Sequence, residues 1–188
     1  KLAEKLKPSQ EEVLAFYEAH QAAFTAPERV HARHILISAP KGDTALEAKA
    51  KAKIEAILAE LKQGADFSNI AKSASSDAGS AKNGGDLGWF VRGQMVPEFE
   101  KVAFELTKPG SIGGPVQTQF GYHLIQLVEH KNTEVRPLNV VKALAEAQLK
   151  REKAEALFAE KAEILVKLGF EQSTLDPIAK ELGLKKEE

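Results

Sequence analysis

The sequence predicts an α+β fold, in which a β-sheet packs against helices and further helices precede and follow it. Apolar runs such as 34–37, bounded by turn residues, indicate buried strands. Stretches with an apolar residue at every third or fourth position indicate amphipathic helices. The stretch 138–168 contains neither Gly nor Pro and indicates one long helix.

The composition is that of a folded protein with no bulk attraction for a charged partner. Hydrophobic residues make up 43% of the 188 residues and charged residues 28%, which excludes wholesale disorder. The formal net charge is −1, so composition favours neither nucleic acid nor an anionic membrane surface as partner. The absence of cysteine excludes disulfides, thiolate metal sites and a cysteine nucleophile.

The first predicted element is a short helix. Ser9 and Glu12 stand three residues apart, as in a capping box, and apolar residues follow them at helical spacing. This pattern predicts a helix that runs to about Ala23 and is closed by Pro27, because proline does not continue a helix.

A strand and two helices follow. Residues 30–38 are predicted to form a strand on which His34 and Leu36 share one face. Residues 46–64 are predicted to form an amphipathic helix closed by a glycine, and residues 66–74 a second helix that begins behind an aspartate cap.

Residues 73–93 are predicted to lack regular structure, because they are rich in small and turn-forming residues. Loops of this length in compact domains are usually functional or mobile. A helix at 97–106 and two strands at 112–116 and 122–129 are predicted next, and His123 belongs to the last strand.

Two helices are predicted to close the chain, a long one at 137–168 and a short one at 175–182. Charged residues interrupt the apolar stripe of the long helix. We expect such a stripe to pack on its own chain or on a neighbouring protein rather than on a small ligand.

The common catalytic templates are absent. None of the five histidines forms the helical pair with a carboxylate that a catalytic zinc site uses. The glycines of 84–88 lack the lysine of a phosphate loop, and aromatic residues are not interleaved with basic ones as on a nucleic-acid platform. We therefore expect no cofactor, no metal and no nucleic-acid partner.

Four ordered motifs carry the functional signal. They are Arg-His-Ile-Leu at 33–36, Gly-Gly-Asp-Leu-Gly-Trp-Phe at 84–90, Gly-Gln-Met-Val-Pro-Glu-Phe at 93–99, and Gly-Pro-Val-Gln-Thr-Gln-Phe-Gly-Tyr-His-Leu-Ile at 114–125. At this spacing they resemble the parvulin family of peptidyl-prolyl cis/trans isomerases. The resemblance implies a four-stranded antiparallel sheet wrapped by helices.

The reaction implied by this resemblance explains the residue types. Rotation about an X-Pro bond passes through a twisted amide, with a barrier of about 18 to 20 kcal/mol. Because no bond is broken, the enzyme needs an apolar pocket for proline and polar groups that fit the twisted amide better than the planar one. By the resemblance, the side chains that bind the substrate are Leu87, Phe90, Met95, Phe99 and Phe120.

The resemblance also implies polar site residues. His34 and His123 match the paired histidines of the family, and Thr118 matches its threonine. Neutral tautomers of the histidines are expected to tune the floor of the site through hydrogen bonds rather than to shuttle protons. Asp77 matches the cysteine or aspartate that lies near the substrate carbonyl, and Ala78 is the alternative in an ungapped alignment.

The expected substrate is an unmodified X-Pro bond with a mostly apolar preference. Family members that require a phosphorylated residue use a cluster of basic side chains after the first strand, whereas residues 39–44 offer one lysine beside one aspartate. The alternative is a non-catalytic chaperone module that holds extended polypeptide in the same groove. The compatible residue at every matched pocket position favours the isomerase.

The flanking segments resemble those of multi-domain parvulin chaperones of the bacterial cell envelope. The segment 133–188 is most similar to the PpiD type, a periplasmic folding factor anchored in the inner membrane. Because the chain begins with Lys1 and its only methionine is Met95, we expect a piece of a longer protein. No apolar run approaches the roughly 18 residues of a membrane span, so the anchor is expected to be missing from this chain.

These inferences divide the chain into an N-terminal helical segment at 1–29, a parvulin-like isomerase domain at 30–131 and a C-terminal helical segment at 132–188. We expect a periplasmic isomerase, tethered to the inner membrane in the full-length protein. Its expected partners are unfolded or nascent exported proteins.

Overall fold

The structure, a computed structural model, describes residues 7–39 and 41–171. The chain divides into two units. One is the continuous segment 26–134, and the other is a helical unit that combines 1–25 with 135–188.

The three predicted segments map onto these units in a simple way. The predicted isomerase domain, 30–131, lies inside the continuous unit, whereas most of each terminal segment, 1–29 and 132–188, belongs to the helical unit. The division into three functional parts remains a prediction. The short helix predicted at 175–182 lies outside the described residues.

Six α-helices and six strands are described. The helices are α1 (Gln10–Ala19), α2 (Thr44–Lys62), α3 (Phe67–Ala74), α4 (Ala78–Ala81), α5 (Pro97–Glu105) and α6 (Leu138–Glu171), and a 3₁₀ turn covers Gln21–Phe24. The strands are β1 (Thr25–Ala26), β2 (Arg29–Ser38), β3 (Asp86–Val91), β4 (Ile112–Thr118), β5 (Gly121–Lys131) and β6 (Glu134–Val135). The main sheet has the order β3-β2-β5-β4 with antiparallel neighbours, which confirms the four-stranded antiparallel sheet.

The central strands β2 and β5 bury both of their faces. Ile35 belongs to the core that β2 forms with α2 and α3, whereas Ala32 and Ile125 belong to the core that the sheet forms with α5. Because side chains alternate along a strand, His34 and His123 lie on the same face as Ala32 and Ile125. The fold thus places both histidines on the side of the sheet that α5 covers.

In the segment 73–93, the expected lack of regular structure is wrong. It contains α4 and the edge strand β3, in which Trp89 lies opposite His31 and Phe90 opposite Val30. The small residues do form the turn before β3, but pairing with β2 orders the residues that follow. Composition does not report this pairing, because strand formation depends on cross-strand contacts more than on local preference.

The helical unit is built on α1 and α6. The predicted capping box is present, with Ser9 accepting the backbone N–H of Glu12 and Glu12 accepting that of Ser9. The helix α1 ends earlier than expected, at Ala19, and the 3₁₀ turn follows from Gln21. The core of this unit consists of Val13, Phe24, Val141, Ala145 and Leu149. Within the described ranges, no helix combines the length and the apolar content that crossing a membrane requires.

Candidate active site

A cavity of about 430 Å³ opens on the face of the sheet that carries the two histidines, and we call it the proline cavity. The predicted residues that line it are His34, Asp77, Leu87, Met95, Phe99, Phe120 and His123. Three lining residues were not singled out as site residues from the sequence, namely Leu36, Gln94 and Val96. Most of its surface is apolar, and its polar groups are two imidazoles, one carboxylate and one amide.

The two histidines, 89 positions apart in the chain, become neighbours through the pairing of β2 with β5. Leu36 lies opposite His123, and His34 lies opposite Ile125, so the imidazoles occupy diagonal positions on adjacent strands. Their Nδ1 atoms are 3.3 Å apart, and the rings stack with an interplanar angle of 24°. Both side chains are buried, with exposed fractions of 7% for His34 and 4% for His123.

Asp77 and Ser80 lie at one end of this histidine pair. Asp77 caps the short helix α4, since its Oδ1 accepts the backbone N–H of Gly79. Its Oδ2 accepts the Ser80 hydroxyl at 2.5 Å and lies 2.7 Å from Nε2 of His34. Sequence reasoning missed Ser80, although its position three residues after a helix-capping aspartate is a usable signal for such a contact.

The carboxyl group of Asp77 is held in its ionised form. The hydrogen bond from Ser80 is the largest cause, and together with the bonds from His34 and Gly79 it lowers the pKa of Asp77 to about 2, against the opposing effect of partial burial. An ionised carboxylate accepts hydrogen bonds and donates none. The Nε2 atom of His34 is therefore the donor in its contact with Asp77.

His123 is held in its neutral form. Burial is the main cause and the neighbouring His34 the second, and together they lower the pKa of His123 to about 4. Its Nε2 lies 2.8 Å from Oγ1 of Thr118, and the same oxygen accepts the backbone N–H of Phe120 at 3.1 Å. Thr118 thus lies behind His123 and does not line the proline cavity.

When both rings are neutral, one proton arrangement satisfies all of these contacts. The hydroxyl of Thr118 donates to Nε2 of His123. The Nδ1–H of His123 donates to Nδ1 of His34, and the Nε2–H of His34 donates to Asp77. We call Thr118, His123, His34, Asp77 and Ser80 the polar floor. From Thr118 to Asp77, its hydrogen bonds all point in one direction.

The aromatic residues of the site occupy three different depths. Phe99 is buried, and its ring meets both imidazoles edge-on, with centroid distances of 5.8 and 5.5 Å. Phe120 lies at the rim with 51% of its surface exposed. Phe90, which the sequence predicted to bind the substrate, does not line the cavity, because β3 directs its ring into the core between Phe99 and Phe104. Its contact with Phe99 supports the cavity from behind.

The polar floor is satisfied by its own hydrogen bonds. Among the residues that the structure describes, no group of three or more His, Asp or Glu side chains is arranged to hold a metal ion. The residues that line the proline cavity offer hydrogen bonding, the field of one carboxylate and apolar walls that exclude water from a bound group.

Sequence comparison identifies the family. The profile of the PPIC-type PPIASE domain matches residues 18–131. The foldase protein PrsA of Caldanaerobacter subterraneus subsp. tengcongensis is 38% identical over 178 residues, which is 95% of this chain and 52% of that protein. The chaperone SurA of Nitrosospira multiformis is 40% identical over 136 residues, which is 72% of this chain and 30% of that protein. The chain spans about half the length of the PrsA foldases that it matches.

Solved structures agree with this result. A structure from work on PEB4 and the periplasmic protein Cj1289, two SurA-like chaperones of Campylobacter jejuni, has a TM-score of 0.63 and 31% identity, covering 88% of this chain and 64% of that one. A PpiC-type isomerase domain has a TM-score of 0.53 and 28% identity, covering 58% of this chain and 96% of that one. The similarity of the flanks to the PpiD type remains a prediction. The chain belongs to the parvulin family, the PPIC-type peptidyl-prolyl cis/trans isomerases, and residues 18–131 match the isomerase domain of that family.

Proposed function

We propose that this chain isomerises unmodified X-Pro bonds of unfolded polypeptides by a non-covalent route, with proline bound in the proline cavity. In this proposal Leu87, Met95, Phe99 and Phe120 hold the ring, and the polar floor acts on the amide. The observation that carries the proposal is the shared location of apolar walls and a satisfied hydrogen-bond chain in one cavity of about 430 Å³.

The apolar walls act on the double-bond character of the amide. The planar amide is stabilised by a resonance form with negative charge on oxygen and positive charge on nitrogen, and rotation destroys that form. A dry, apolar surrounding solvates this charge separation less well than water does, so the planar ground state loses part of its advantage. Met95 and Phe99 therefore favour rotation by excluding water, beyond their contact with the ring.

The ionised carboxylate of Asp77 acts in the same sense. A negative charge beside the substrate carbonyl opposes the build-up of negative charge on its oxygen, which weakens the same resonance form. His34 and Ser80 keep Asp77 ionised and fix its orientation, since both contact Oδ2. In this scheme the histidines are positioning residues and need not transfer a proton.

The preference for unmodified substrates has an electrostatic basis. A phosphate dianion requires several charge-assisted hydrogen bonds. The loop that follows β2 offers the ammonium group of Lys41. Two carboxylates lie close to it in the sequence, that of Asp43 at the end of the loop and that of Glu47 in the first turn of α2. This charge balance gives a phosphorylated residue no net attraction.

The test is the turnover of an Ala-Ala-Pro-Phe peptide by the natural chain and three variants. Met95→Ala and His123→Ala are expected to reduce kcat/KM at least tenfold, because they open the cavity wall and interrupt the polar floor. Leu46→Ala is the control, since Leu46 is 43% exposed and does not line the proline cavity. Turnover that is indifferent to both site variants would contradict the proposal. Suppression of client aggregation without any turnover would favour the alternative, a non-catalytic chaperone module.

We further propose that the full-length protein is an extracytoplasmic folding factor that acts on unfolded exported proteins. The support is similarity to proteins named foldase and chaperone, and to a structure from work that describes Cj1289 as periplasmic. Attachment to the inner membrane through a segment outside this sequence is part of the same proposal. Fractionation of cells that express the full-length gene product tests it, and recovery of the protein with cytoplasmic markers would contradict it.

A further inference from the structure

A second cavity, of about 700 Å³, lies beside the proline cavity. Val96 lines both cavities. The turn between β4 and β5 also joins them, because Gln119 lines the second cavity and Phe120 lines the first. Since each residue of an extended chain advances about 3.3 to 3.6 Å, a polypeptide with its proline in the first cavity brings a neighbouring residue to the second.

The second cavity differs from the first in its chemistry. Its charged lining residues are two carboxylates, Glu47 and Glu98, and one ammonium group, Lys41, which sum to a net charge of −1. The side chains of Gln117 and Gln119 add two amides.

Most of these polar groups are available to a ligand. Glu47 accepts the backbone N–H of Gly42 at 2.9 Å, which holds the loop at the cavity edge. Within the described part of the chain, the side chain of Glu98 makes no hydrogen bond or ion pair, and the same holds for Lys41. A carboxylate beside the route of the substrate, with no partner of its own, is suited to a cationic group.

We infer that the second cavity is the subsite for a residue next to the proline and that it favours a lysine or arginine side chain there. The inference rests on the proposed isomerisation in the proline cavity. Glu98 is the main determinant and Glu47 the second, whereas Lys41 limits the preference. An acidic or phosphorylated residue is disfavoured by the same two carboxylates. This subsite adds a charge preference to the mostly apolar preference that the sequence predicts.

The size of the expected lysine preference follows from the solvent exposure of the charged groups. An exposed pair of opposite charges changes an equilibrium by about two- to fivefold. A peptide with lysine next to proline gains this factor, and a peptide with glutamate loses a similar one. The ratio of their kcat/KM values is therefore expected to be on the order of tenfold at low salt, and to shrink at high salt because ions screen exposed charges.

The experiment compares peptides that carry lysine, alanine or glutamate either directly before or directly after proline. Turnover is followed by NMR exchange, which needs no coupling protease. We expect one of the two positions to favour lysine over glutamate, and Glu98→Gln with Glu47→Gln to remove most of that preference. Glutamine keeps the acceptor for Gly42, so the loop is retained. Glu55→Gln, an exposed substitution on α2 outside both cavities, is the control.

The outcomes separate this inference from the proposed function. Turnover of all peptides at equal rates, or a lysine preference that survives both substitutions, would overturn the subsite while leaving the isomerase intact. Absence of turnover for every peptide would instead contradict the proposed function. In that case, Kd values for the same peptides test the subsite, and equal binding of lysine and glutamate peptides would overturn it as well.

Discussion

Neutral His123 makes the stability of the continuous unit, residues 26–134, depend on pH. The pKa of His123 lies at about 4 in the folded protein, against an ordinary value of 6.5, chiefly because the side chain is buried. Between these two pH values the unfolded chain binds a proton that the folded chain does not, so the free energy of unfolding falls as the pH falls. The sign is therefore a loss of stability on acidification that starts near pH 6.5.

The magnitude follows from the shift. Each pKa unit corresponds to about 1.4 kcal/mol, so the full shift is worth about 3 kcal/mol by pH 4. Between pH 6.5 and pH 5 the expected loss is about 2 kcal/mol. His123→Gln removes this titration. The variant is expected to be less stable than the natural chain at pH 7, and the difference between the two is expected to narrow by about 2 kcal/mol at pH 5.

The assay is urea unfolding at several pH values, followed by tryptophan fluorescence. Trp89 is the only tryptophan and belongs to β3, so its fluorescence reports the unfolding of the continuous unit 26–134. Thr118→Val is the matched control, because it removes a hydrogen bond from the same imidazole and leaves the titrating group in place. Because His123 still titrates in this variant, its stability is expected to fall on acidification. A His123→Gln variant that loses as much stability on acidification as the natural chain would refute the argument that burial keeps His123 neutral.

Three further predictions concern other parts of the molecule. Asp77→Asn removes a carboxylate whose pKa is lowered to about 2, chiefly by Ser80. In urea unfolding at pH 7, the variant should have a free energy of unfolding lower than that of the natural chain by at most about 2 kcal/mol, and this difference should disappear as the pH falls from 3.8 through 2. A difference that stays constant down to pH 2 would contradict this prediction. Gly85→Ala should lower the free energy of unfolding by more than about 3 kcal/mol, because φ is +79° and the new Cβ would lie 2.1 Å from the carbonyl oxygen of His34. Gly93→Ala, with φ +86° and open space around the new Cβ, should lower it by only about 1 to 2 kcal/mol. Val13→Ala should lower the stability of the helical unit by about 2 kcal/mol, measured by circular dichroism of thermal unfolding, and an unchanged melting curve would show that this core does not hold the unit together.

The regular elements of the fold were accessible from the sequence, because their signals are local. The strand at 30–38 and the helix at 46–64 appear as β2 and α2 with ends shifted by a few residues. The strand β3 was not accessible, since its order comes from pairing with β2, while Gly88 within it and the two glycines just before it indicate a loop. The sequence motif of residues 84–90 was informative about the family and uninformative about the strand.

In the candidate site, too, contacts between residues that are distant in the sequence could not be predicted from local patterns. No periodicity connects His34 with His123, because their contact depends on the register between β2 and β5. The resemblance to parvulins supplied that pair, together with Asp77 and Thr118. It did not supply Ser80, whose hydroxyl touches both Asp77 and His34. The only local signal for this contact is the position of Ser80 three residues after the aspartate that caps the helix.

The helical unit is assembled from two distant stretches of chain that meet where the backbone leaves and returns. The carbonyl oxygen of Phe24 accepts the N–H of Arg136 at 3.0 Å, so the exit and the re-entry points are adjacent. Everything between them is one uninterrupted segment with its own cores. We therefore expect that a short turn between these two points would close the helical unit, so that deletion of the segment 26–134 would leave this unit folded.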